Sequence, residues 1–235
     1  MSPNILALCL TAGTVGFLHT LAGPDHYLPF VVMAKARRWS AGKTAAMTVL
    51  CGLGHVGSSI LIGSIGIAFG LGVAKLEIFE GVRGDLASWL FILFGLGYFL
   101  WGVRRGLKNR GPDHFHVHED RVSDPGSPRT HPGHGHPDHP RANLTPWILF
   151  TIFVFGPCEP LIPLLMVPAA EHGSGGVALV AAVFSVVTIA TMLALVFLPL
   201  IGLNKLPLKF LERYMHAAAG FTILVCGLGM VFLGL

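Results

Sequence analysis

Charge is scarce in this sequence. Only 12% of its 235 residues are Asp, Glu, Lys or Arg, about half the roughly 25% of an average soluble domain. So few charges cannot cover the surface of a soluble domain of this size, which nearly excludes an ordinary soluble enzyme. Cysteine is also sparse: Cys9, Cys51, Cys158 and Cys226 all lie in apolar stretches. They form neither a C-x-x-C motif nor a paired framework, so a disulfide scaffold is not expected. No ATP-binding motif is present, and any primary pumping would need a partner. The apolar runs do not alternate with polar residues, which argues against a β-barrel. The N-terminal apolar stretch has no basic n-region and no small-residue cleavage site, so no signal peptide is expected. Nor does the net charge of +4 point to nucleic acid as a partner, because basic residues in a membrane protein report topology.

What the chain has instead is apolar length. Hydrophobic residues make up 53% and the mean hydropathy is +0.68. Six apolar segments cover roughly residues 4–34, 44–73, 86–103, 144–170, 177–203 and 213–235, each long enough for a membrane helix of about 20 residues. The first is too long for one straight span and contains Gly23-Pro24 near its middle. The fourth contains Gly156-Pro157, with Pro160, Pro163 and Pro168 following. A helix break is expected at both places, and broken backbone at membrane depth is tolerated only where it is buried or lines a cavity. Lys35, Arg37, Arg38 and Lys43, seven Lys or Arg between Arg104 and Arg141, and Lys205, Lys209 and Arg213 fall on one side. The other side holds Lys75 and Arg83, offset by Glu77, Glu80 and Asp85. The positive-inside rule puts both termini outside the cytoplasm.

The two halves resemble each other. Gly23-Pro24-Asp25-His26 aligns with Gly156-Pro157-Cys158-Glu159 at an offset of 133, and residues 91–97 align with 223–229 at 132. Three helices per unit is an odd number, so the second unit must insert upside down. The expected fold is an all-α membrane protein of six transmembrane helices, arranged as two inverted three-helix repeats with broken first helices. Residues 1–103 form the first repeat, 104–143 a cytoplasmic His-rich loop and 144–235 the second repeat. Transporters built this way keep their site at the repeat interface near the midplane.

His19, Asp25 and His26 fall within eight residues of one apolar segment. Ionisable groups at that depth mark a pathway or a site. Imidazole with carboxylate suits Ni(II), Co(II), Zn(II) or Fe(II) rather than Mg(II) or Ca(II). A straight helix would put residues 19 and 25 on different faces, and a kink can bring them together. The bland alternative is a polar packing knot in which Asp25 accepts from a histidine. His55 lies in Gly52-Leu53-Gly54-His55, where it is either a packing residue or a fourth ligand; its repeat counterpart is Thr188. Glu159 and Cys158 stand opposite His26 and Asp25. Glu159 is a candidate for the pathway or for proton coupling, and Cys158 is either a soft ligand or a small buried residue. His216 reads as a helix-terminus residue, His172 as a solvated loop residue, and Trp39, Trp101, Trp147 and Tyr214 as interface anchors. The third connection carries His114, His116, His118, His131, His134, His136 and His139 among Pro, Gly, Asp and Ser. It cannot fold on its own and reads as weak, multi-site collection of transition metal.

Gly16-Phe17-Leu18-His19-Thr20-Leu21-Ala22-Gly23-Pro24-Asp25-His26, Gly52-Leu53-Gly54-His55 and Gly156-Pro157-Cys158-Glu159-Pro160-Leu161-Ile162-Pro163 resemble the UreH-like branch of the nickel/cobalt transporter superfamily, over nearly the whole chain. The resemblance implies six or more helices and transport of Ni(II) or Co(II). His19, Asp25 and His26 match the family's first-helix metal motif, and His55 its second-helix histidine. Five residues separate His19 from Asp25-His26 where the nickel/cobalt permeases have four, a departure through the Gly-Pro insertion that bears on the ion; Ni(II) or Co(II) is expected first, Zn(II) or Fe(II) behind. The expectation is a non-enzymatic secondary transporter in a bacterial inner membrane. It would move a divalent transition metal through a site of His19, Asp25, His26 and His55, with lipid around it, protons as a natural coupling ion and no permanently bound cofactor. A cytoplasmic collecting tract favours efflux. The competing readings are a CcdA-like thiol–disulfide electron carrier, for which only Cys158 sits at a proline-flanked repeat position, and a non-transporting accessory protein for metalloenzyme maturation.

Overall fold

In the computed structural model, residues 3–108, 145–204 and 212–234 are described. The His114–His139 tract, Arg141, Lys205 and Lys209 lie outside them. The described residues form helices α1 (Pro3–Ala22), α2 (Leu28–Ala36), α3 (Ala41–Ala68), α4 (Val73–Leu107), α5 (Thr145–Phe155), α6 (Leu161–Asn204) and α7 (Met215–Leu233), and short 3-10 turns at Pro24–His26 and Glu212–Tyr214. No strand occurs among the described residues. Five of the helices are long and apolar enough to cross a membrane, so the chain has the build of an all-α multi-pass membrane protein. Leu10, Leu93, Val186 and Leu198, each more than 60% exposed, present outward the apolar surface that lipid solvates and water does not.

The first segment breaks where its sequence requires. Pro24 has no N–H to continue the helical ladder, and Gly23 takes an extended conformation (φ −90°, ψ 94°). A 3-10 turn follows, and α2 restarts with Pro29 in its first turn. The second break falls at residues 156–160, between α5 and α6. Ser40 caps α3, its hydroxyl accepting from the Lys43 N–H at 3.3 Å.

Three boundaries differ from the sequence reading. The fourth and fifth apolar segments, expected to be separated by residues 171–176, meet directly: α6 is two helices joined at a non-helical kink at Gly173 (φ 63°, ψ −161°). Glycine alone adopts that conformation without steric cost. The third span begins at Val73 rather than near residue 86 and continues through Leu107, four residues into the expected loop. Residues 74–85, expected as a polar outer connection, are therefore helix, and Glu80 and Arg83 within it are buried. They are not edge charges, because each supplies the other's partner.

Packing follows the small residues. α4 lies along α7 with Gly95 against the backbone of Leu224, Gly102 against that of Ala217 and Gly220 against that of Phe99, a close approach that side chains would forbid. Gly13 and Gly16 of α1 face Val183, Phe184, Val187 and Thr188 of α6, while Gly54 of α3 faces Phe150 and Val154 of α5. Two apolar clusters result. One holds Phe30, Met33, Phe91, Leu149, Phe153, Met192 and Ile223. The other holds Ile5, Cys9, Val56, Cys158, Leu161, Leu165 and Phe184.

A candidate metal centre

His19 begins the last turn of α1, His26 closes the 3-10 turn and His55 sits mid-way along α3. The break between the first two brings them together. The His19 and His26 ring centroids are 4.8 Å apart, those of His26 and His55 4.9 Å and those of His19 and His55 6.4 Å. One nitrogen from each ring falls within 4.8 Å of the other two. His26 and His55 are 3% exposed.

Hydrogen bonding assigns the tautomer of His26. Its Nδ1 lies 3.2 Å from the Gly23 carbonyl and 3.2 Å from Asp25 Oδ1. Both are acceptors, so Nδ1 carries a proton and donates, and Nε2 is the nitrogen turned toward the cluster. It faces His55 Nε2 at 3.3 Å. The two nitrogens are satisfied either by a proton on one of them or by a cation between them. With metal–imidazole bonds of about 2.0–2.1 Å, tetrahedral geometry separates neighbouring donors by roughly 3.4 Å, so His26 and His55 already stand at that spacing. His19 Nε2 is buried with no hydrogen-bond partner among the described residues, and its ring is the third imidazole of the set. Two glycines make room for the rings. A Cβ on Gly23 would stand 2.5 Å from His26 Nδ1, and one on Gly156 would stand 3.1 Å from His55 Nδ1.

Asp25 is placed differently from the sequence expectation. Its carboxylate lies behind His26, on the nitrogen that does not face the cluster. It orients and polarises an imidazole, as carboxylates commonly do behind metal-ligating histidines.

The cluster opens on a cavity of about 520 Å³ lined by His19, Asp25, His26, His55, Asp85, Ser88, Gly156 and Glu159, with Phe91 and Phe153 among its apolar walls. Glu159, the pathway candidate, is exposed and lines this cavity. Cys158 is fully buried in the second apolar cluster, and its thiol is not part of the nitrogen cluster. All four cysteines are free and buried. Thr188, the counterpart of His55, is buried against Gly16 of α1 and does not line the cavity. His172 lies next to the Gly173 kink where the two helices of α6 meet, with Glu171 Oε2 3.9 Å from its ring.

Sequence reasoning missed two features. Asp85 lines the same cavity as the histidines; its place three residues before Ser88, one helical turn on, was the available signal. The second is the Glu80–Arg83 ion pair (i, i+3), whose spacing on one helical face is visible in the sequence. At the far end of α4, Arg37 Nε donates to the Tyr98 hydroxyl (3.0 Å), Arg37 Nη2 to Thr145 Oγ1 (2.6 Å), and the Tyr98 hydroxyl pairs with His216 Nδ1 (2.8 Å). His216 is thus tied into a polar network joining the ends of four helices.

Comparison with known proteins finds no matching family model, no matching curated protein and no matching solved structure.

Proposed function

We propose that this chain is a secondary carrier for a divalent first-row transition metal, Ni(II) or Co(II) first, with His19, His26 and His55 as its transient binding site. The carrying observation is the convergence of three imidazole nitrogens, within 4.8 Å of one another, at the wall of a cavity among apolar helices long enough to span a membrane. Three imidazoles leave one or more coordination positions open. An open position admits water or a further ligand, whereas closed four-ligand sites are structural. Imidazole favours Ni(II), Co(II) and Zn(II) over hard cations. The likeness of the Gly23-Pro24-Asp25-His26 region to nickel/cobalt transporters points the same way.

Alternating access gains support from the packing. α1 meets α6 as α5 meets α3, which is the exchange expected if residues 3–107 and 145–233 are inverted copies about a two-fold axis. The cavity also has one closed side. Phe91 and Phe153 line it and belong to the apolar cluster behind it, and the Arg37–Tyr98–His216 network lies beyond. On this reading the basic end is cytoplasmic, the cavity faces outward across a bacterial inner membrane and both termini are non-cytoplasmic. The His114–His139 tract gathers metal weakly on the inner side, which favours efflux. Each histidine sheds any bound proton before binding metal, so proton antiport is the natural coupling.

Reconstituted protein tests this directly. Uptake of Co(II) and Ni(II) into liposomes, read with an internal metal-sensitive dye, is expected for wild type and lost in His26→Ala. Deletion of residues 114–139 lowers the rate at low metal concentration without abolishing it. Liposomes in which His26→Ala moves both ions as fast as wild type sink the site. Wild type that moves neither ion sinks the carrier reading and leaves the accessory role.

A further inference from the structure

A second polar assembly lies beside the metal cluster. Glu80 and Arg83 project from one face of α4 and pair directly; the side chains are 0% and 9% exposed. Neither charge is spent on the other alone. Arg83 Nη2 donates to the carbonyl of Val154 (2.8 Å), to that of Gly156 (3.4 Å) and to Ser58 Oγ (2.7 Å), and Nη1 donates to Ser59 Oγ (3.3 Å). Glu80 Oε2 accepts from Ser59 Oγ (3.1 Å) and from the Cys158 N–H (3.1 Å). The carbonyls are ones that α5 leaves open at its C-terminal end. The Cys158 N–H is a donor released by the break that follows. A broken helix at membrane depth must have these groups satisfied, and one ion pair reaches both sides of it.

The same assembly encloses His55. Ser58, held by Arg83, donates to the His55 carbonyl at 2.8 Å. Gly156, whose own carbonyl Arg83 holds, sits where even a Cβ would crowd the His55 ring. His55 is therefore approached from two sides: Ser58 of its own helix bonds its backbone carbonyl, Gly156 of the broken backbone packs against its ring, and Arg83 holds both of these residues.

We infer that the Glu80–Arg83 pair is the positioning element of the metal site: by fixing the 154–158 break against α3 it sets where the His55 imidazole stands relative to His26. This rests on the metal-carrier reading for its consequence, though not for its geometry. Arg is suited to the task because its planar fork reaches several acceptors at once, and lysine offers only a point charge. The pair also binds residues of both halves together, so movement of the break and movement of His55 are one motion.

The experiment uses the full-length purified chain in detergent. Glu80→Leu/Arg83→Met replaces the pair by apolar side chains, a change that buried ion pairs often tolerate, and Arg83→Lys keeps the charge. Two readouts are taken: Co(II) titration followed by its visible ligand-field absorption, and the ring ¹⁵N spectrum of labelled histidine without metal, with His55 assigned by His55→Gln. The double variant is expected to keep wild-type helicity, shift the His55 ring signals and bind Co(II) about 10-fold or more weakly with an altered absorption envelope, in the range that outer partners of a metal site command. Arg83→Lys is expected to fall between. Unchanged ring signals together with unchanged Co(II) affinity, in whichever of the two variants folds, overturn the proposal. Failure of both to fold makes the pair a folding element and overturns it too. If wild type binds no Co(II), the metal reading falls, and the metal-free ring spectrum alone decides the positioning role.

Discussion

Asp25 shows how much one side chain's partner decides. A carboxylate two helical turns from His19 invites assignment as a ligand, yet its contact is with His26 Nδ1. It then acts by fixing which nitrogen of His26 carries the proton and so which faces His19 and His55. Loss of such an outer partner commonly weakens metal binding 10–100-fold, whereas loss of a ligand removes a bond outright. Asp25→Asn is therefore expected to bind Co(II) about 10–100-fold more weakly while keeping the ligand-field spectrum of three imidazoles at saturation. His26→Ala is expected to lose that spectrum. Absorption titration of the two variants side by side checks the distinction, and an altered spectrum in saturated Asp25→Asn would return the carboxylate to the ligand set. The histidines themselves were legible from the sequence, because buried imidazole in apolar sequence is costly enough to stand out. Asp25's role was not, since sequence spacing cannot tell which ring nitrogen a carboxylate meets.

Among the helices, what could be read was whatever breaks a ladder. Gly23-Pro24 and Gly156-Pro157 removed N–H donors that no helix can do without, and both interrupt the structure where they should. The connection between the fourth and fifth segments was legible from its glycines, but its shortness was not: the two helices of α6 meet at a single non-helical residue, Gly173. The start of α4 was hidden for the opposite reason. Lys75, Glu77, Glu80, Arg83 and Asp85 look like a solvated connection by charge count, and only partners from α3 and the second break show that Glu80 and Arg83 are interior. The glycines of α4 and α7 carry the clearest energetic prediction at this scale. A Cβ on Gly95 would strike backbone atoms of Leu224, which cannot rotate aside as a side chain tip can. Gly95→Val is expected to destabilise the fold by about 1–3 kcal/mol or more, as overpacking does. Gly97→Ala, on the same helix with open space at its Cβ, is expected to be near neutral. Thermal unfolding in detergent compares them, and equal midpoints would mean that α4 and α7 are not in this contact.

The whole molecule is closed at one end and hollow toward the other. Along α4, Tyr98 and Asp85 are about 20 Å apart at 1.5 Å per residue. Tyr98 is bound to Arg37 and His216, whereas Asp85 is exposed and lines the cavity. Between them Phe30, Met33, Leu149 and Ile223 are fully buried, so the structure represents one access state of the proposed carrier. In a background with the four native cysteines replaced, Asp85→Cys and Glu159→Cys are expected to react with a membrane-impermeant maleimide added to one face of sealed vesicles. A cysteine in place of Thr48, fully buried on α3, is expected to stay protected. Breaking the closed end, by Tyr98→Phe with Arg37→Gln, removes the bonds that hold the Thr145 and His216 ends of α5 and α7 to α4. It should shift the population toward the opposite state, because a two-state equilibrium moves by the differential free energy of the two states and by nothing else. The expected signature is reciprocal: labelling at position 85 slows and labelling at position 48 from the other face rises. Slower labelling at 85 without any gain at 48 would mean that the network supports the fold and does not gate it. If the maleimide reached position 85 from both faces at equal rates, the one-sided cavity, and with it alternating access, would fail.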